Sequence, residues 1–322
     1  MKKILLTILL FTGIIFSQNK KETYFPKDTS YSLASTNHKI LKEYPDVKLV
    51  NDLLPGNVIV KSDIVYKTLG NRKLHLDIYQ PKISKGKNYP AVLLIHGGGW
   101  RSGNKSMEKY LAGRLASSGI VAIAVEYRLS IEAIYPAALH DLKSALKWTI
   151  KNAEKLGINR NKLFISGESA GGHLAALVGV TSNISKMDDP GSDINTIPKV
   201  AGIINIDGVL DMTTPSESRK DSIAGKPQSA AGMWLGAILN EKPDLWREVS
   251  PINYIDENTP PILFINSSIP RYHAGRDEVI SKLNKLGIYS EVHTIEKSPH
   301  SFWYFHPWID EVVEFVINFI KK

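Results

Sequence analysis

Lys162-Leu163-Phe164-Ile165-Ser166-Gly167-Glu168-Ser169-Ala170-Gly171-Gly172-His173-Leu174-Ala175-Ala176-Leu177 is the stretch whose reading decides the fold. Its first five residues are β-rich and its last five favour a helix. Between them lies G-x-S-x-G, with small residues on both sides of Ser169. At a strand-to-helix turn this pattern is a nucleophile elbow: the chain turns sharply and holds the serine strained, with Oγ above the sheet. Gly172 adds a small residue where helix and strand pack closely.

A second element precedes it. Ala91-Val92-Leu93-Leu94-Ile95 is apolar throughout and bounded by Pro90 and glycines, the pattern of a fully buried strand. It runs into His96-Gly97-Gly98-Gly99-Trp100. Three consecutive glycines let backbone N–H groups approach a negatively charged oxygen with no side chains in the way. The amides of Gly98, Gly99 and Ala170 are the expected donors. A third element is Pro299-His300-Ser301-Phe302, between the strand-like Ser290–Ile295 and an amphipathic helix over 307–320. A histidine in a loop after the last strand is well placed as general base toward Ser169. His96, His140 and His173 lie in the glycine loop or within helices and read as structural.

Glycine loop, elbow and late histidine, in this order, resemble the α/β-hydrolase fold over residues 58–322. More narrowly they resemble its hormone-sensitive-lipase-like esterases, with Arg101-Ser102-Gly103-Asn104 and Glu126-Tyr127-Arg128-Leu129 matching that branch. Within it the chain is most similar to secreted bacterial carbohydrate esterases that remove acetyl or methyl groups from plant cell-wall polysaccharides. Residues 245–251, 266–277 and 300–308 carry that likeness. The resemblance implies serine hydrolase chemistry with no cofactor and no metal, on a polysaccharide or small-ester substrate. It also implies a mostly parallel sheet with helices on both faces and a short cap between strands six and seven.

The third member of the triad departs from the family pattern. The usual acid follows strand seven, but after Pro261–Ile265 come Asn266-Ser267-Ser268-Ile269-Pro270-Arg271, with no carboxylate. Asp207-Gly208, at the end of the strand-like Val200–Ile206, is the first candidate to orient His300. Asp-Gly is also a common turn pair, so Asp211, Asp277 and a Ser-His dyad stay open. Asp277 fits the first turn of a helix, where a dipole role explains it.

Met1-Lys2-Lys3, the apolar Ile4–Phe16 and Ser17 read as a signal peptide over 1–17, too short for the roughly 20 apolar residues a bilayer needs. The expected location is secreted or periplasmic, with no stable membrane span after cleavage. With no cysteine, disulfides and thiolate chemistry are excluded. The net charge of +8 comes from scattered lysines rather than basic-aromatic clusters, so nucleic acid is not an expected partner. Residues 18–57 read as a polar lead-in, and 58–322 as one catalytic domain of alternating strands and helices. The Asp188–Asp193 loop lacks EF-hand spacing and reads as a surface turn.

Trp100, Trp303 and Tyr304 flank the glycine loop and the histidine, and one or two of them are expected to face a sugar; large rings otherwise pack inside. Arg271 and His273 fit either a uronate carboxylate or, for Arg271, pairing with a buried acid. Two rivals remain: a serine exopeptidase, for which no terminus-binding group is identified, and a non-catalytic binding protein on a hydrolase scaffold.

Overall fold

The computed structural model describes residues 28, 30–82, 88–193, 195–218 and 229–322. The expected signal peptide lies outside the described residues. Eight strands form the main sheet: β1 (Val58–Leu69), β2 (Arg72–Pro81), β3 (Tyr89–Ile95), β4 (Val121–Val125), β5 (Ile158–Glu168), β6 (Gly202–Ile206), β7 (Ile262–Ser267) and β8 (Ser290–Ile295). Their order is β1-β2-β4-β3-β5-β6-β7-β8. β1 and β2 form an antiparallel hairpin and β2 meets β4 antiparallel, while every pair from β4 to β8 is parallel.

Parallel strands need crossovers, and helices α2 (Lys109–Ser117), α3 (Ala137–Lys151), α4 (Ala170–Val180) and α5 (Arg276–Lys285) lie in them, while α1 (Leu33–Glu43) precedes the sheet and α6 (Trp308–Lys321) follows it. Because strand side chains alternate, the continuous apolar runs fill both faces. Ala91, Leu93 and Ile95 face one core with Leu142 and Leu146 of α3, Leu174 and Leu177 of α4, and Leu283 of α5. Val92 and Leu94 face the other, with Leu115 of α2 and Val312 and Val316 of α6.

The expected elements form, with shifted ends. The helical stretch that opens after Pro136 breaks at Asn152 into α3 and Ala153–Leu156, and Gly157, at φ 66°, stops it. The Asp-rich loop is neutralised by lysines: Lys143 and Lys147 bind Asp188, Lys67 binds Asp189, and Lys151 binds Asp193. Between β6 and β7 lie short helices Pro215–Ser218, Ala230–Leu235 and Pro243–Glu248. They form the cap segment. Among the described residues no helix is long and apolar enough to cross a membrane.

Candidate active site

The parallel strands all end at the same edge of the sheet, and there the sequence's candidates meet. Ser169 stands between β5 and α4 at φ 54°, ψ −122°, a region that L residues rarely enter. Its N–H donates to the Ile206 carbonyl at 2.8 Å, which fixes the turn against β6. Asp207, one residue beyond Ile206, is fully buried. His300 lies in the turn after β8.

His300 Nε2 is 2.9 Å from Ser169 Oγ, and Nδ1 is 2.9 Å from Asp207 Oδ2. A buried carboxylate accepts, so Nδ1 carries the proton and Nε2 is left to receive the serine's. Asp207 Oδ1 is fixed by the Ser267 N–H at 2.8 Å. Burial holds the His300 imidazole below its ordinary 6.5, against the opposing pull of Asp207. Of the three acids weighed, Asp207 is the one placed at His300. Asp277 is exposed in the first turn of α5, paired with Arg276. Asp211 accepts from the N–H and hydroxyl of Thr213.

Gly98, Gly99 and Ala170 line a cleft of about 280 Å³ that also holds Ser169, Asp207 and His300. As the first residue of α4, Ala170 has an N–H with no intrahelical acceptor. Gly98 has φ 114°, open to glycine alone in practice. A Cβ on Gly97 would lie 2.8 Å from the Glu168 carbonyl oxygen, so only glycine lets the loop press on the elbow.

Residues the sequence reading passed over hold these loops together. Glu168, buried beside the nucleophile, accepts from the Gly97 N–H at 3.2 Å and from the Tyr304 hydroxyl at 2.6 Å. One carboxylate thus ties the elbow to the glycine loop and to the histidine loop. Glu108, also buried, hydrogen-bonds the same carboxyl; desolvation and the Glu168 charge push it well above the usual carboxylate range, so Glu108 holds the proton. Burial takes His173 down to about 4. It is neutral, accepting from Trp100 Nε1 at Nδ1 (3.2 Å) and donating from Nε2 to the Val249 carbonyl (2.7 Å), which joins the glycine loop to the cap.

The aromatic expectations are corrected in part. Trp100 lines the cleft, stacked on Trp234 with centroids 5.2 Å apart. Trp303 and Tyr304 are not on the cleft wall: the 3₁₀ turn Phe302–Tyr304 sends both rings inward. Trp303 meets the edge of His300 from behind (4.9 Å, 87°), and Tyr304 is drawn under by Glu168. The ring beside the base in the cleft is Tyr272, stacked on His300 with centroids 3.6 Å apart and planes 7° apart. Arg271 lines the cleft and pairs with buried Glu217, as one of its two readings had it; His273 instead donates to the Ser267 carbonyl. The lead-in is likewise more than a tether. Asp28 bridges to Ser102 and binds Arg101, and Ser30 and Tyr31 form cleft wall.

Comparison with known proteins agrees with this architecture. The model of the BD-FAE family matches residues 76–273. Esterase LipC of Mycobacterium tuberculosis is 30% identical over 197 residues, 60% of this chain and 47% of that protein. AB hydrolase superfamily protein C1039.03 of Schizosaccharomyces pombe is 31% identical over 222 residues, 66% of this chain. The chain spans 47% and 63% of the lengths of these two curated relatives. Among solved structures, Thermogutta terrifontis esterase 2 phosphonylated by sarin superposes with a TM-score of 0.67 at 26% identity, covering 84% of this chain and 95% of that one. A bifunctional GH43-CE protein of Bacteroides eggerthii gives 0.67 at 25% identity, over 81% of this chain and 38% of its own. With a family model matched over more than half its length, the chain belongs to the BD-FAE family, built on an α/β-hydrolase fold.

Proposed function

We propose that the protein is a secreted serine ester hydrolase that removes O-acetyl groups from a plant-type cell-wall polysaccharide such as xylan or pectin. The observation that carries this reading is the unbroken chain Ser169–His300–Asp207, both links at 2.9 Å, opening into a cleft lined by Gly98, Gly99 and Ala170. Ser169 Oγ attacks the ester carbonyl while His300 Nε2 takes its proton. The oxyanion rests on the N–H groups of Gly98, Gly99 and Ala170. Collapse breaks the bond to the alcohol, which departs with the proton from His300, and water then releases the acyl-enzyme by the same relay. Ala170, Val209 and Ala230 present small side chains to the cleft, which suits a short acyl group. Relatives named as esterases and a bifunctional GH43-CE neighbour support the choice of ester over peptide.

The decisive assay incubates the protein with 4-nitrophenyl acetate, acetylated xylan and pectin, and measures acetate and methanol. Acetate release, lost in Ser169→Ala, is the expected result; methanol in place of acetate would shift the reading to a pectin methylesterase. No product from any ester by a folded protein favours the binding-protein rival.

Two further outcomes follow from the site. The base acts when neutral, so kcat/KM rises as pH passes upward through the His300 pKa. Because burial lowers that pKa, the acidic midpoint of the profile is expected below 6.5; a midpoint above it contradicts the burial argument. Glu168→Gln keeps an acceptor for Gly97 and Tyr304, and its amide can donate to the unprotonated oxygen of Glu108, whereas Glu168→Ala leaves all three unpaired. The alanine variant is expected to lose about tenfold to hundredfold in kcat with KM little changed, because the oxyanion donors shift. Glutamine should stay within about threefold, and equal kcat values for the two variants would remove Glu168's role in positioning the loops.

A further inference from the structure

Among the described residues, two guanidinium groups line the cleft. Arg101 is held by Asp28 of the N-terminal segment. Arg271 is about half exposed, and its Nε and Nη2 reach the buried carboxylate of Glu217 at 3.0 and 3.4 Å. A guanidinium presents five N–H donors in one plane, enough for carboxylates on two edges. Glu217 takes one edge, and Nη1 makes no hydrogen bond among the described residues. The group is also fixed from its face: Arg271 Cζ lies 5.4 Å from the centroid of the Tyr272 ring, which stacks on His300.

That stack decides which part of an ester lies near the charge. The imidazole hands its proton to the departing alcohol, so the alcohol portion occupies the histidine side of the cleft. We propose that Arg271 is the carboxylate-binding group of a leaving-group subsite, and that the substrate is an ester carried on an acidic sugar, the uronate carboxylate docking on the open Nη1–Nη2 edge. The inference rests on the hydrolase reading above and narrows it from polysaccharides in general to uronate-containing ones. Glu217 keeps the guanidinium oriented, as a buried carboxylate orients a ligand-binding arginine. If the pair is only a clamp on the cap, by contrast, it confers no preference among sugars.

Calorimetric titration of the intact protein with tetragalacturonate and xylotetraose, at about 0.15 M salt, separates the two without breaking an ester bond. Tetragalacturonate is expected to bind at least about tenfold more tightly, as a charge-assisted bidentate contact gives. Arg271→Gln should bring the ratio close to one, and Glu217→Gln, which keeps the guanidinium, should preserve it. A ratio near one in the unmodified protein overturns the proposal whether or not the variants fold. So does a preference that survives in Arg271→Gln, since it then belongs to the basic surface. Turnover of 4-nitrophenyl acetate measured alongside distinguishes the failures: turnover without the preference overturns the subsite alone, and no turnover removes the hydrolase reading on which it stands.

Discussion

Asp207→Asn is expected to lower kcat by about four orders of magnitude while the protein stays folded. The geometry dictates the size of the loss. Ser267 N–H donates to Oδ1 at 2.8 Å, so that oxygen must remain an acceptor, and the new amide nitrogen is driven to the other position, facing His300 Nδ1. An N–H there can only donate, which forces the imidazole proton onto Nε2. Ser169 then faces a donor, and its proton has nowhere to go. Asp211→Asn and Asp277→Asn, neither in contact with His300, should stay within about twofold. Steady-state hydrolysis of 4-nitrophenyl acetate checks all three; an Asp207→Asn enzyme keeping more than about a tenth of the parent's kcat would falsify the assignment.

The largest effect on stability is expected at Asp141, fully buried on α3. Its carboxylate accepts from Lys67 of β1 at 2.7 Å, and from Arg128 through Nε at 2.7 Å, Nη2 at 2.8 Å and the backbone N–H at 3.1 Å. It ties the edge hairpin, the loop after β4 and α3 together. Removing one partner of a buried ion pair strands the others and typically costs about 3–5 kcal/mol. Lys67 keeps Asp189 at 2.8 Å and Arg128 is partly exposed, so Asp141→Ala should fall near the lower end, about 3 kcal/mol. Urea denaturation of the two proteins measures it. A loss below about 1 kcal/mol would mean that water replaces the carboxylate.

Much of this arrangement was legible in the sequence because its signals are local. Buried strands such as Ala91–Ile95 announce themselves by continuous apolar runs, and Gly167–Gly171 by a turn that few residues tolerate. Asp207 was harder. Its tie to His300 depends on the tips of two strands with β7 between them, across 93 residues of chain, and no spacing rule reports that. Trp303 and Tyr304 misled for the opposite reason: they are next to His300 in sequence, but one 3₁₀ turn points their rings into the core. The lead-in is harder to read because Asp28, Ser30 and Tyr31 lie in a polar stretch without periodicity, and its anchors are scattered: the Asp28–Arg101 ion pair, and Ile40 and Val50 buried in the core. Glu168 sat in plain view within the elbow. Its role needs Gly97 and Tyr304, from opposite ends of the domain.

Placing the histidine's carboxylate at the end of β6 has a consequence for the neighbouring strand. In the arrangement the fold usually adopts, the turn beyond β7 must keep an acid in register. Here the last residue of β7 contributes a main-chain amide, that of Ser267, which any residue but proline could supply. Side chains from Ser268 to Arg271 therefore need supply no carboxylate to the proton relay. The acid of the relay and the cleft residues that follow β7 sit on separate pieces of chain, so substitutions can accumulate in the second without dismantling the first.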